Sequence, residues 1–299
     1  MKRVLTILCD PSASLINPSL IEGVTKVLRT ADITIEDLDI LAPGIAIDIL
    51  IVSNTSDTNV EVLLRKHLKD TAIDIALQPR ENRRKRLLIA DMDSTIVTSE
   101  TLDDLAAEAG IADQIAPITE RAMRGELNFK EALRHRVQLL QGTSADLIER
   151  VWEKIRFTSG ATTLVHTMKA YGAHTALVSG GFTTITNRVR SALGFDEDRA
   201  NELLISEKRL TGKVAEPILD KNAKVSALND LTAKLKLTPA DAAAIGDGAN
   251  DISLLRAVGL GAAFHAKPIV CEAAPFRIDH GDLTALLYLQ GYRLTEFVS

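Results

Sequence analysis

Only two cysteines occur in 299 residues, and Cys9 and Cys271 are too far apart in sequence to form a metal-spaced cluster. They read as core thiols of a protein in a reducing compartment. No apolar run approaches the ~20 residues that a membrane span needs. The segment Met1 to Asp10 meets an acid too early for the apolar core of a signal peptide. Positive charge is in deficit as well: 35 Lys and Arg stand against 40 Asp and Glu, a net charge of −5. That balance gives no global electrostatic case for nucleic acid or an anionic membrane as partner. Six histidines (His67, His135, His166, His174, His265, His280) show no ligand spacing, which argues against zinc. Internal repeats and low-complexity stretches are missing too. What is there is an ordinary globular composition, 46% hydrophobic and 25% charged, long enough for one large or two modest domains. A soluble, cytoplasmic protein is expected.

Strand-like and helix-like patterns alternate over residues 1–80. Val4 to Cys9, Ile45 to Val52 and Thr71 to Leu77 read as strands, and Pro18 to Leu28 and Asp57 to Leu68 as helices. The succession predicts a small α+β domain of the split βαβ kind, with no catalytic constellation in it. Residues 81–86, within the basic run Arg80 to Arg86, read as a solvated linker between domains rather than a nucleic-acid patch, because the chain elsewhere is acidic. From Leu87 the pattern becomes α/β. Short apolar strands (Leu87–Ala90, Thr175–Val178, Ala242–Ile245, Gly261–Phe264) end in polar or Gly-rich loops, the signature of a Rossmann-like parallel sheet with crossover helices. Residues 100–158 lack a strand-like run and read as a helical cap inserted into that second domain, 87–299.

Four motifs could carry chemistry. Asp91-Met92-Asp93-Ser94-Thr95 follows the first of these strands, and two aspartates two residues apart can face one side of an extended backbone. Carboxylates there can act as a hard-metal ligand, nucleophile or general acid. Val178-Ser179-Gly180-Gly181 follows the next strand and offers a hydroxyl and close backbone approach to phosphate oxygens. Lys224 lies in a helical stretch after Pro217, where a lone lysine is ordinarily a surface charge. Gly246-Asp247-Gly248-Ala249-Asn250-Asp251 adds two oxygen ligands in a tight turn without the twelve-residue pattern of an EF-hand. Each alone is common; their shared sheet edge and their order are not.

That order resembles the haloacid dehalogenase superfamily of phosphotransferases, and within it the branch that hydrolyses O-phospho-L-serine. Glu100-Thr101, Leu127-Asn128-Phe129 and Ala266-Lys267-Pro268 match as well, so the resemblance covers about residues 87–290. It implies an aspartyl-phosphate mechanism, with Asp91 as nucleophile and Asp93 as general acid and base. It further implies Lys224 and Ser179 as charge and oxyanion partners. Mg²⁺ would be held by Asp91, Asp247 and the Asp93 backbone carbonyl, with Asp251 in the outer shell. Glu100 and Arg136 would take the substrate ammonium and carboxylate. Phe129 and Met123 would cover the site, and Gly180 and Asn250 would contact the substrate. The residues 1–80 would form an ACT-like regulatory domain, through which a homodimer is conceivable. Phosphoryl transfer to another alcohol such as homoserine, or a non-catalytic amino-acid sensor, are the competing expectations.

Overall fold

The computed structural model describes residues 1–53, 56–123 and 127–299, the side chains of Glu120, Ala122, Met123 and Lys221 excepted. The first unit runs β1 (Lys2–Leu8), α1 (Pro18–Thr30), β2 (Thr34–Ala42), β3 (Ala46–Val52), α2 (Asp57–His67) and β4 (Asp74–Pro79). Its strands lie in the order β2-β3-β1-β4 and every neighbouring pair is antiparallel, the split βαβ pattern. Asn17 accepts the Leu20 amide and Pro18 fills the first turn of α1, so the helix starts where its free amides find a partner. One sheet face packs Leu5, Ile7, Ile49 and Ile75 against Val24 and Leu28 of α1 and Val60 and Leu64 of α2. Strand β2 had no counterpart in the sequence reading. Glu36, Asp37 and Asp39 stand on an exposed edge where only the last two residues are buried, so it carries no apolar run.

The basic run is solvated only in part: Glu81, Asn82, Arg84 and Arg86 are exposed, whereas Lys85 is buried and Arg83 half-buried at the seam between the two units. Arg83 donates to Asp48 of β3 and to the carbonyls of Tyr288 and Leu289. Arg84 lies 4.1 Å above the Tyr292 ring and pairs with Glu296, and the Lys85 ammonium donates to the carbonyls of Asn82 and Ala240. Charge composition alone could not foresee this, because the acceptors are mostly backbone carbonyls far away in sequence. Gln78 donates to Leu289 O at 2.6 Å, and Asp74 accepts the amides of Asp279, His280 and Gly281. The second face of the first sheet, Leu8, Ala42, Ala46 and Ala76, shares one core with Leu283, Leu286 and Leu287.

The second unit is a six-stranded parallel sheet ordered β12-β11-β10-β5-β6-β7. From β5 (Leu87–Ala90) the chain leaves the sheet through α3 (Thr101–Glu108), α4 (Ala112–Met123), α5 (Phe129–Gln138) and α6 (Asp146–Lys154). It returns by α7 (Ala161–Ala170) to β6 (His174–Phe182), α8 (Thr183–Leu193) and β7 (Glu197–Asn201). A hairpin, β8 (Leu203–Ser206) with β9 (Arg209–Val214), comes before α9 (Lys221–Leu235) and β10 (Ala242–Gly246). Then follow α10 (Ile252–Ala257), β11 (Leu260–Phe264), α11 (Pro268–Ala273), β12 (Phe276–Ile278) and α12 (Ala285–Leu289). The central strands are buried on both faces and are apolar throughout, as parallel strands between helix layers must be. The polar β7, the hairpin and the three-residue β12 were not anticipated. Among the described residues no helix is long and apolar enough to cross a membrane.

Candidate active site

Strands β6, β5 and β10 are neighbours, so their carboxyl ends deliver the Ser-Gly-Gly, Asp-x-Asp and acidic loops to one place. After β5 the chain turns sharply: Asp93 is extended and Ser94 is left-handed at φ 52°. For a residue other than glycine that conformation costs roughly 1–2 kcal/mol. The Ser94 hydroxyl donates to Glu100 Oε1 at 2.8 Å, and the Val97 amide to Met92 O. These bonds hold the turn that swings Asp91 and Asp93 toward the cavity.

Asp91 is buried, and its Oδ1 accepts both the Met92 amide and the Lys224 ammonium, each at 2.8 Å. Lys224 reaches it from α9 and also bonds Asp251, which is fully buried. Burial opposes the charge on Lys224, but Asp91 and Asp251 outweigh it and raise the group above an ordinary lysine. Asp93 accepts the Thr101 amide at 3.1 Å. Its carboxyl is pushed up to about 8 by burial and then by the neighbouring Glu100 and Asp91. The same causes, burial first and the Asp91 charge next, bring Asp247 to about 6 and Asp251 to about 7. Too many carboxylates crowd here for all to ionise without added positive charge.

That crowding is what a divalent cation relieves. Asp91, Asp247 and Asp251 each place one carboxylate oxygen within 4.8 Å of the others, a hard-oxygen donor set. The residues present therefore fit a divalent metal.

Above this cluster lies a cavity of about 350 Å³. Asp91, Asp93, Glu100, Phe129, Arg136, Ser179, Gly180, Asp247 and Asn250 all line it. Lys224 and Asp251 do not; Lys224 reaches it through Asp91, and Asp251 bonds Lys224 and the Gly248 amide behind it. The Met123 side chain lies outside the described residues. Phe129 and Arg136, two turns apart on α5, share one face of that helix. The helix is set by a reciprocal cap, in which Asn128 accepts the Glu131 amide and Glu131 the Asn128 amide. The glycines matter for space: a Cβ on Gly180 would come 3.1 Å from Phe129 Cζ, and one on Gly181 would come 3.0 Å from Asp93 Oδ2. Ser179 Oγ accepts the Gly181 amide at 2.8 Å. Sequence reasoning assigned no role to Lys267, an exposed cation on the cavity wall, although Ala266-Lys267-Pro268 was among the matched motifs. Leu102, Thr119 and Leu133 complete the lining from the cap and carry no motif that could have marked them.

A Rossmann-like parallel sheet with these loops at one edge is the architecture of a phosphotransferase, and the comparisons agree. The chain belongs to the haloacid dehalogenase-like hydrolase family, whose family model matches residues 88–256. It is 41% identical over 245 residues to a phosphoserine phosphatase of Archaeoglobus fulgidus, a match covering 81% of this chain and 71% of the relative. A phosphoserine phosphatase of Streptomyces coelicolor is 40% identical over 247 residues, 82% of this chain and 60% of the longer relative. Among solved structures, a probable phosphoserine phosphatase from Vibrio cholerae superposes with a TM-score of 0.79 at 27% identity, covering 99% of this chain and 88% of that one.

Proposed function

We propose that this protein is a Mg²⁺-dependent phosphomonoesterase that hydrolyses O-phospho-L-serine to L-serine and phosphate, the last step of L-serine biosynthesis. One observation carries the reading. A single cavity is lined by the carboxylate pair Asp91 and Asp93, the first bonded to a buried lysine, and by Glu100 with Arg136, complementary to an amino acid's ammonium and carboxylate.

Both contacts to Asp91 fall on Oδ1, so Oδ2 makes the attack on phosphorus. As the new Asp91–phosphate bond forms, the ester bond breaks and Asp93 gives its proton to the serine oxygen. A carboxyl raised to about 8 holds that proton at neutral pH, which is the state the first step requires. In the second step Asp93 takes a proton from water, the water oxygen bonds phosphorus, and the Asp91–phosphate bond breaks. Lys224 holds the nucleophile in place and sets positive charge beside the transferring group, while Ser179 and the amides of its loop face the phosphate oxygens. Asp91, Asp247 and the Asp93 carbonyl would hold Mg²⁺, with Asp251 bracing Lys224 and the Gly248 amide from behind. The cation's contribution is to neutralise the phosphate dianion against these carboxylates.

Among the described residues Arg136 spends only a long 3.4 Å bond on its own helix, to Ala132 O, which leaves its guanidinium for a ligand. Glu100, held by Ser94, is within electrostatic reach of it. The relatives named above are phosphoserine phosphatases, which favours hydrolysis over phosphoryl transfer to another alcohol, and a sensor has no use for the paired carboxylates. The two free thiols suit a cytoplasmic location.

The test is phosphate release from a panel of phosphomonoesters, with Mg²⁺ and with EDTA. Phosphoserine should lead the panel and EDTA should abolish release. Equal rates across the panel would remove the substrate assignment, and full activity in EDTA the metal.

A further inference from the structure

Away from the catalytic cavity, the seam between the two units forms a second, half-open cavity of about 90 Å³, well above the ~10–15 Å³ that admits one water. Arg65 of α2 and Lys69 just beyond it line it from the first unit, and Arg277, Asp279 and His280 from the second. Arg65 is partly buried, yet no carboxylate comes within 4 Å of its guanidinium and it makes no hydrogen bond among the described residues. Burial and then the like charge of Arg277 both weaken its hold on its proton, more than the more distant charges of Glu61, Asp279 and Asp74 restore it. The nearby carboxylates are engaged elsewhere. Asp279 pairs with Arg277 at 2.9 Å, and Asp74 accepts three backbone amides. Glu61 acts on both arginines only from beyond ion-pair distance.

We propose that this seam cavity binds a small tetrahedral oxyanion of the phosphate class, held between Arg65 and Arg277 with Lys69 and His280 beside it. Guanidinium groups suit it because their planar forks match two oxygens of such an ion at once. The anion would supply the partner that Arg65 lacks and would join the two units at a point where no side-chain ion pair crosses.

Calorimetric titration of inorganic phosphate into the metal-free full-length protein tests this, with wild type, Arg65→Gln and Arg277→Gln compared. One phosphate per chain, beyond any held at the catalytic cavity, should bind in wild type and weaken about tenfold or more in either variant, since a hydrogen bond to a charged group is lost. Sulfate should displace it. Phosphoserine turnover in phosphate-free buffer should be unchanged in both variants, which separates this site from the catalytic one. Should Arg65→Gln fail to fold by circular dichroism, Arg277→Gln gives the same reading. Phosphate binding that neither substitution changes, or no binding beyond that at the catalytic cavity, overturns the proposal.

Discussion

Asp91 and Asp93 are the same residue two positions apart, and their surroundings give them opposite work. Lys224 and a backbone amide lie against Asp91, whereas Asp93 meets burial and like charge. The alternation of an extended backbone made the pair legible in sequence; the raised proton affinity of Asp93 was not, because it depends on Glu100 and on burial under the cap. It has a consequence for stability. Between about pH 4 and pH 8 the folded, metal-free protein keeps protons on Asp93, Asp247 and Asp251 that the unfolded chain releases. More protons on the folded state mean that stability falls as pH rises through that window. Differential scanning calorimetry in EDTA should show Tm declining from pH 5 to pH 8. Added Mg²⁺ should raise Tm more at pH 8 than at pH 5, because it binds the ionised carboxylates of the folded chain alone. A metal-free Tm that climbs over this range would contradict the crowding. Arg136 carries a second prediction. Arg136→Lys keeps charge but loses the fork, so kcat/KM for phosphoserine should drop roughly 10- to 150-fold while p-nitrophenyl phosphate, with no α-carboxylate, changes little. Equal losses on both substrates would assign Arg136 to holding the cap instead.

Elements were readable where burial on both faces writes an unbroken apolar run, as in β5, β10 and β11, and where periodicity marks a wet and a dry face, as in α1 and α2. Of the missed elements, β2, β7 and β12 lie at the edges of the two larger sheets and are polar or short, because an edge strand needs only one apolar side and one partner. The loop after β10 shows how little slack a site-bearing element has. A Cβ on Gly246 would lie 2.4 Å from Asp251 Cγ, closer than side chains tolerate. Gly246→Ala should therefore push Asp251 off Lys224 and weaken Mg²⁺ activation by roughly 10- to 100-fold, the usual effect of moving a group behind a metal ligand. Circular dichroism should be nearly unchanged, and the shift is read from turnover against Mg²⁺ concentration. An unaltered Mg²⁺ dependence would mean that Asp251 does not brace the site.

Across the whole molecule, every residue lining the catalytic cavity lies beyond the seam's Arg83. A fragment beginning at Arg83 should keep phosphoserine turnover, yet it exposes the Leu286 and Leu287 surface and frees Arg83 from Asp48. Each kcal/mol lost lowers Tm by ~2–4 °C at this size, so a drop on the order of 10 °C is expected in calorimetry. An unchanged Tm would mean that the seam contributes nothing to stability. The separation into two units was legible in the change of pattern near residue 80, but the docking was not, since many of its partners are backbone groups some two hundred positions away. The distance between Gln78 and Leu289, 211 positions, also sets an order of events during synthesis. At ribosomal speeds of ~5–20 residues per second, the first sheet waits roughly 10–40 s for the helix that covers it. Through that interval its small apolar face of Leu8, Ala42, Ala46 and Ala76 stands open, the time at which a chaperone has most to offer this chain.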